Sequence, residues 1–109
     1  MFRFWGILVL TLILPVSSYA QSQRGGISYY HEGQRTSSGE RFNPHAMTCA
    51  HRSAPFGTKI MVSHGSRSVT CRVNDRGPFR RGRVLDVSLA VAKELRMVSA
   101  GVIHGTITW

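Results

Sequence analysis

Hydrophobic and polar positions divide this chain into two unlike parts. Residues 4–16 form an almost wholly apolar, uncharged run behind a single cation, Arg3, and the small and polar residues after it end in Ser18-Tyr19-Ala20. That order is the charged region, hydrophobic core and cleavage site of a secretory signal peptide. The run falls short of the about 20 residues that a membrane-spanning helix needs, and Pro15 interrupts it. We therefore expect a signal peptide over 1–20, cleaved after Ala20; the alternative is an uncleaved N-terminal anchor. Cleavage would leave no stable membrane insertion. Without a cysteine near the cleavage point, a lipid anchor is not expected.

Beyond Ala20 the apolar positions come in short bursts. Residues 21–25 are polar and contain glycine, which reads as a flexible lead, and the domain is expected over 26–109. Strand character recurs at 27–31, 59–64, 68–74, 84–87 and 102–109. The second and third of these are rich in β-branched residues, and His64-Gly65-Ser66-Arg67 between them supplies a hairpin turn. One helix is predicted over 89–97, capped by Ser88, with Leu89, Val91, Ala92 and Leu95 on its apolar stripe and Lys93, Glu94 and Arg96 on its wet face. A lone helix among many short strands predicts a mainly β fold, a small barrel with one or two short helices. No repeat, coiled coil or second domain is visible.

Charge narrows the partners. Of the 14 lysines and arginines, Arg3 would leave with the signal peptide; the remaining thirteen, eleven of them arginine, face five acidic residues, net +8. Such a surface attracts polyanions. An exported chain seldom meets nucleic acid, and no nucleic-acid motif accompanies the charge, so nucleic acid is not an expected partner. Peptidoglycan carboxylates and anionic wall polymers fit better, with a merely solvated basic face as the alternative for any one arginine. Both cysteines, Cys49 and Cys71, follow Ala20. In an exported protein an even count is expected to pair, which would contribute about 3 kcal/mol in the chain-entropy model; two buried free thiols are the alternative.

Three polar islands carry candidate chemistry. Thr36-Ser37-Ser38-Gly39-Glu40-Arg41-Phe42-Asn43 is a loop displaying one carboxylate. Thr48-Cys49-Ala50-His51 leads through Arg52-Ser53-Ala54 to the turn Pro55-Phe56-Gly57-Thr58. Val73-Asn74-Asp75-Arg76-Gly77-Pro78-Phe79 ends a strand on an acid followed by a sharp turn, which would leave Asp75 at a rim. His45, Cys49 and His51 lie close together, but no zinc-type spacing is present and the compartment favours a disulfide, so no metal and no cofactor is expected.

These strings resemble the double-psi β-barrel domain of the rare lipoprotein A family, which includes septal lytic transglycosylases. The likeness runs from Gly26 to about Thr108. It is carried by Ile27-Ser28-Tyr29-Tyr30, Ser38-Gly39-Glu40-Arg41-Phe42-Asn43, Ala50-His51 with Pro55-Phe56-Gly57-Thr58, Asn74-Asp75-Arg76-Gly77-Pro78-Phe79, and Gly82-Arg83-Val84-Leu85-Asp86-Val87-Ser88, in that order. The resemblance implies a six-stranded double-psi barrel. It also implies cleavage of the bond between N-acetylmuramic acid and N-acetylglucosamine in peptidoglycan strands, with the muramyl C6 hydroxyl attacking its own anomeric carbon to leave a 1,6-anhydro end.

Such a reaction needs a proton for the leaving oxygen and an acceptor for the C6 proton. Asp75 is the first candidate; its alternative is a turn-capping aspartate. Glu40 would share the work or stabilise positive charge, or be a plain loop glutamate. His51 would orient an acid or bind sugar hydroxyls, or be a structural histidine. Tyr29, Thr48, Arg76, Arg80 and Arg81 are assigned to substrate contact. Tyr29 and Tyr30 are adjacent on a strand, so at most one of them faces the groove. Asp86 reads as structural, near the helix start, and Phe42, Phe56 and Phe79 read as packing residues. The expected product is a periplasmic or secreted monomer. We expect a short form of the family without its C-terminal glycan-targeting repeat, so septal localisation is not carried over from the resemblance. The runner-up function is an expansin-like module that binds polysaccharide without cutting it.

Overall fold

The computed structural model describes Gly6, Val9, Leu10, residues 21–30, Gly33 and residues 35–109. The expected signal peptide and its cleavage point lie almost wholly outside the described residues. No helix among those described is long and apolar enough to cross a membrane.

Alternation builds the barrel wall. Strand β1 spans Ser22–Tyr30, β2 Thr48–Ala50, β3 Lys59–His64, β4 Arg67–Asp75, β5 Arg83–Ser88 and β6 Val102–Thr108, with helix α1 at Leu89–Glu94 between the last two strands. Every second side chain points inward, so Ile60 and Val62 of β3, Cys71 and Val73 of β4, Leu85 and Val87 of β5, and Ile103 and Ile107 of β6 meet Ile27 in one core. Each such residue contributes about 1.5–3 kcal/mol of burial. The strands close in the order β1-β5-β2-β4-β3-β6. β1 with β5 and β2 with β4 run parallel, and the other pairs are antiparallel. Among the described residues, closure leaves no long sheet edge to be paired by another chain.

The expected hairpin forms with His64 paired to Arg67. The Cys49–Cys71 disulfide is also formed, its Cα atoms 5.8 Å apart and both residues fully buried. It joins the strand leading into His51 to the strand leading into Asp75.

Three local expectations change. The first concerns 21–25, expected as a flexible lead, where Ser22–Gly25 is instead the first half of β1, paired residue by residue with β6 from Ser22↔Thr108 to Gly25↔Gly105. Its glycines serve close approach: a Cβ on Gly25 would come within 2.8 Å of Val84 Cγ1, and one on Gly26 within 3.1 Å of the Gly82 carbonyl oxygen. The second is β2, which was read only as part of a loop island, because three residues carry no periodicity. The third is the helix, which ends at Glu94 instead of 97. Leu95 and Met97 are both buried, and two residues apart they cannot share one face of a helix. Arg96, at φ 54°, turns the chain so that both enter the core. Ser88 caps the helix as expected, its Oγ accepting from Val91 N–H and donating to the Ala46 carbonyl.

Candidate active site

Register, more than sequence proximity, assembles the site. Cys49 on β2 lies between Val73 of β4 and Val87 of β5, all three pointing into the core. One step along, a shift in the β2–β4 pairing skips Asn74 and sets Asp75 opposite Ala50. Irregularities of this kind re-aim side chains beside functional sites. On its other side Ala50 pairs with Asp86 of β5, which pairs with Ser28 of β1. Ser28, Asp86, Ala50 and Asp75 therefore stand in one row across four neighbouring strands.

Asp75 is held firmly on one side. Its Oδ1 accepts from the Ser37 backbone N–H at 2.9 Å, the Ser37 hydroxyl at 2.7 Å and the Arg76 N–H at 2.9 Å. Oδ2 accepts no hydrogen bond among the described residues. The strand ends in a turn that requires Gly77, whose φ of 121° would strain any side chain. Ser37 comes from the loop that also carries Glu40, and that loop is tied to β4 by Ser38 N–H on the Asn74 carbonyl.

Glu40 helps to hold this loop. Both of its oxygens face Arg72 of β4, at 2.6 and 2.9 Å. Those hydrogen bonds keep its carboxyl below the usual carboxylate range. Its neighbour in function, His51, is buried, and its Nδ1 accepts from Ser53 N–H at 3.1 Å and Ala54 N–H at 2.9 Å. Two donors on Nδ1 place the ring proton on Nε2, which then donates to Gln23 Oε1 at 2.9 Å. Burial, with Arg76 and Arg52 nearby, pushes its pKa down, so the ring is neutral. The imidazole packs edge-on against Trp109, and its backbone N–H donates to the Asp75 carbonyl. His51 thus sets the position of the Asp75 backbone, while its ring faces a separate recess of about 120 Å³ with Gln23 and Arg52.

The larger cleft, about 420 Å³, is walled by Ser28, Tyr30 and Asp86 on the strand side and by Gly77, Pro78 and Phe79 on the turn side, with Tyr29, Arg76, Arg80 and Arg83 around them. Asp75 adjoins it through Arg76. Both adjacent tyrosines, Tyr29 and Tyr30, line the cleft, so the expectation that at most one would face it does not hold. The Tyr30 ring lies 4.9 Å from Phe42, and its buried OH has no hydrogen-bond partner among the described residues. Burial, then the charges of Asp75 and Asp86, raise its pKa far above the ordinary phenol value, so it remains a neutral donor. Tyr29 lines the cleft too, but it packs against the core and donates its OH to the Val98 carbonyl at 3.0 Å.

The other assigned contacts divide. Arg80 is exposed at the cleft, whereas Arg81, equally exposed, is not among its lining residues. Arg76 also lines the cleft, yet its guanidinium donates to the Ala54 carbonyl at 2.6 Å and lies 4.0 Å over the Phe56 ring. Thr48 is buried on β2 and does not line the cleft. Cys49, engaged in the disulfide, is not available to a metal, and no cluster of three metal-ligating side chains occurs among the described residues.

Three residues were missed or misread from sequence. Phe79, read as packing, is 79% exposed on the cleft. Arg52 clamps the turn below it, donating to the Pro78 carbonyl at 2.6 Å and to those of Arg80 and Arg83. Asp86, read as structural, opens onto the cleft. The single available signal was its place in a string that the resemblance already singled out.

Comparison with known proteins places both the fold and the family. A solved structure, Streptomyces papain inhibitor, superposes with a TM-score of 0.67 over 84% of this chain and 94% of its own; at 21% identity that likeness speaks for fold alone. The class is the double-psi β-barrel. Residues 22–107 match the DPBB_1 family model, described as lytic transglycolase, and the chain belongs to that family. It is 50% identical over 93 residues to a Nostoc protein named Probable endolytic peptidoglycan transglycosylase RlpA, covering 79% of this chain and 25% of that one. It is 39% identical to the Endolytic peptidoglycan transglycosylase RlpA of Pasteurella multocida, covering 81% and 31% respectively. A relative from Aquifex aeolicus is 48% identical over 73% of this chain and 38% of its own. The chain thus spans between a quarter and two fifths of the length of these relatives.

Proposed function

We propose that this protein is an endolytic peptidoglycan lytic transglycosylase of the cell envelope. The observation that carries the reading is Asp75, whose Oδ1 is fixed by three donors while Oδ2 accepts no hydrogen bond among the described residues. A carboxyl so oriented can protonate the glycosidic oxygen of N-acetylglucosamine as the C1–O4 bond breaks. The muramyl C6 hydroxyl then attacks C1, its proton passes to a carboxylate, and no water is consumed. Phe79 offers an apolar face for a sugar ring, and Arg80 and Arg83 offer positive charge for lactyl or peptide carboxylates. Glu40 and His51 act at one remove, the first by holding the Ser37 loop on β4 and the second by holding the Asp75 backbone.

The exposed Phe79 beside an arginine rim would also suffice to bind glycan without cutting it, which is the second reading. One experiment separates the two. The protein is incubated with purified sacculi and with denuded glycan, and the products are analysed by mass for 1,6-anhydro-muramyl ends. Their appearance is expected; sacculus binding without them would leave the binding module.

A further inference from the structure

We propose that Asp86 is a second catalytic carboxyl of this site and that, with Asp75, it carries the two proton transfers of the transglycosylation. The inference rests on the lytic transglycosylase reading above. Asp86 lies between Ser28 and Ala50 in the cross-strand row, and Ala50 separates it from Asp75. Two strand spacings set the two backbones about 10 Å apart, with Ala50 at the register position between them.

The setting of Asp86 differs from that of an aspartate buried to tie strands together. It is partly exposed and lines the 420 Å³ cleft. The Ser28 hydroxyl donates to its Oδ1, steering the carboxyl from one side as Ser37 steers Asp75. Oδ2 has no hydrogen bond among the described residues. Glu40, the other carboxylate first considered, has both oxygens facing Arg72. Tyr30, whose buried hydroxyl has no hydrogen-bond partner among the described residues, lines the same cleft as Asp86, and Asp75 directly precedes Arg76, which lines it too.

In that cleft one carboxyl gives its proton to O4 of N-acetylglucosamine as the C1–O4 bond breaks, and the other takes the proton of the muramyl O6 as the O6–C1 bond forms. Both electron pairs are accounted for within the substrate: the C1–O4 pair leaves on O4, and an O6 lone pair makes the new bond. The carboxyls exchange protonation states, and solvent restores them once the product leaves.

The test compares wild type with Asp86→Asn, Asp86→Glu and Ser28→Ala for release of anhydro-muramyl ends from sacculi, alongside sacculus retention and thermal melting. Asp86→Asn should lose about 10²–10⁴-fold in turnover with retention and melting unchanged. Asp86→Glu should recover part of that loss, and Ser28→Ala should lose about tenfold through a misplaced carboxyl. A folded Asp86→Asn protein with wild-type turnover overturns the assignment and leaves the role of Asp75 standing. If Asp86→Asn does not fold, a folded Ser28→Ala protein with wild-type turnover overturns it instead. Wild type that releases no anhydro ends from sacculi or denuded glycan overturns the transglycosylase reading, and this one falls with it.

Discussion

Ser37 donates twice to one atom of Asp75, through its backbone N–H at 2.9 Å and its hydroxyl at 2.7 Å, across 38 positions of sequence. The loop that carries Ser37 therefore serves as the aiming device for the carboxyl. Asp75→Asn keeps the size of the side chain but can neither give nor take the reacting proton. Release of anhydro ends should fall about 10²–10⁴-fold, while melting and sacculus binding persist. Ser37→Ala removes one donor and leaves the backbone N–H, so a loss of about tenfold is expected. Unchanged product formation by a folded Asp75→Asn protein would remove Asp75 from the reaction.

On the proposed reading, Glu40 acts on Asp75 through that loop. Glu40→Gln cannot keep the charge-paired contact to Arg72, and the loop should loosen. Activity should drop less than for Asp75→Asn, and stability should change by about 0.2–1 kcal/mol, the range for an exposed pair. Because its folded pKa is depressed, the pair's contribution is present above the ordinary glutamate value of 4.5 and is lost as pH falls through the folded value. Chemical denaturation of wild type and Glu40→Gln at neutral pH and near pH 3 measures both effects. A loss equal to that of Asp75→Asn would return Glu40 to the proton-transfer step.

What the sequence reveals here tracks how local the determining physics is. β3, β4 and their hairpin are legible because β-branched alternation and a Gly-Ser turn are properties of neighbouring residues. Ser88 is legible as a cap for the same reason. Asp75 is legible as a rim residue from the Arg-Gly-Pro turn, but the family and the double-psi topology came from resemblance, since periodicity cannot name a crossover. Register is non-local and was out of reach. Alternation predicts that at most one of Tyr29 and Tyr30 faces the groove, yet both line the cleft, and that depends on the pairing of β1 with β5. Asp86 was lost in the same way, because nothing near it in sequence announces that Ala50, 36 positions earlier, sets it in a row with Asp75.

The disulfide should be present in protein made in an oxidising compartment, at an intact mass about 2 Da below the all-thiol value, one bridge's worth of hydrogens. Replacing Cys49 and Cys71 together with Ala should cost about 3 kcal/mol in the chain-entropy model and lower activity, since β2 and β4 hold His51 and Asp75 in register. Free alkylation of both thiols in non-reduced periplasmic protein would contradict the bond.

His51 supplies a pH signature. Its folded pKa lies below the ordinary 6.5, chiefly through burial, so the neutral ring's contribution is complete above about pH 6.5 and is lost as pH falls through the folded value. Wild type should therefore melt at lower temperature as pH drops from 8 towards 5. His51→Ala should be less stable by about 1–3 kcal/mol at pH 8, because two backbone N–H groups lose their acceptor, and its melting should depend less on pH. Equal slopes for the two proteins would assign the pH dependence to other groups.

Charge and stacking at the cleft can be separated by salt. Arg80 and Arg81 are exposed, and their guanidinium groups make no hydrogen bond or ion pair among the described residues, so changing them should leave the fold intact. Binding to sacculi should weaken as ionic strength rises from 0.01 to 0.15 M, over which the screening length shortens from about 30 to about 8 Å. Arg80→Ser with Arg81→Ser should lower retention at low salt and flatten that dependence. Phe79→Ala should lower retention at every salt concentration, because a ring on a sugar face is not screened; base-like stacking energies of about 1–3 kcal/mol per ring set an upper guide to the loss. Cosedimentation with sacculi across the salt series distinguishes the two. Salt-independent binding by wild type, abolished by Phe79→Ala alone, would assign recognition to the sugar face and leave the arginines as a solvated rim.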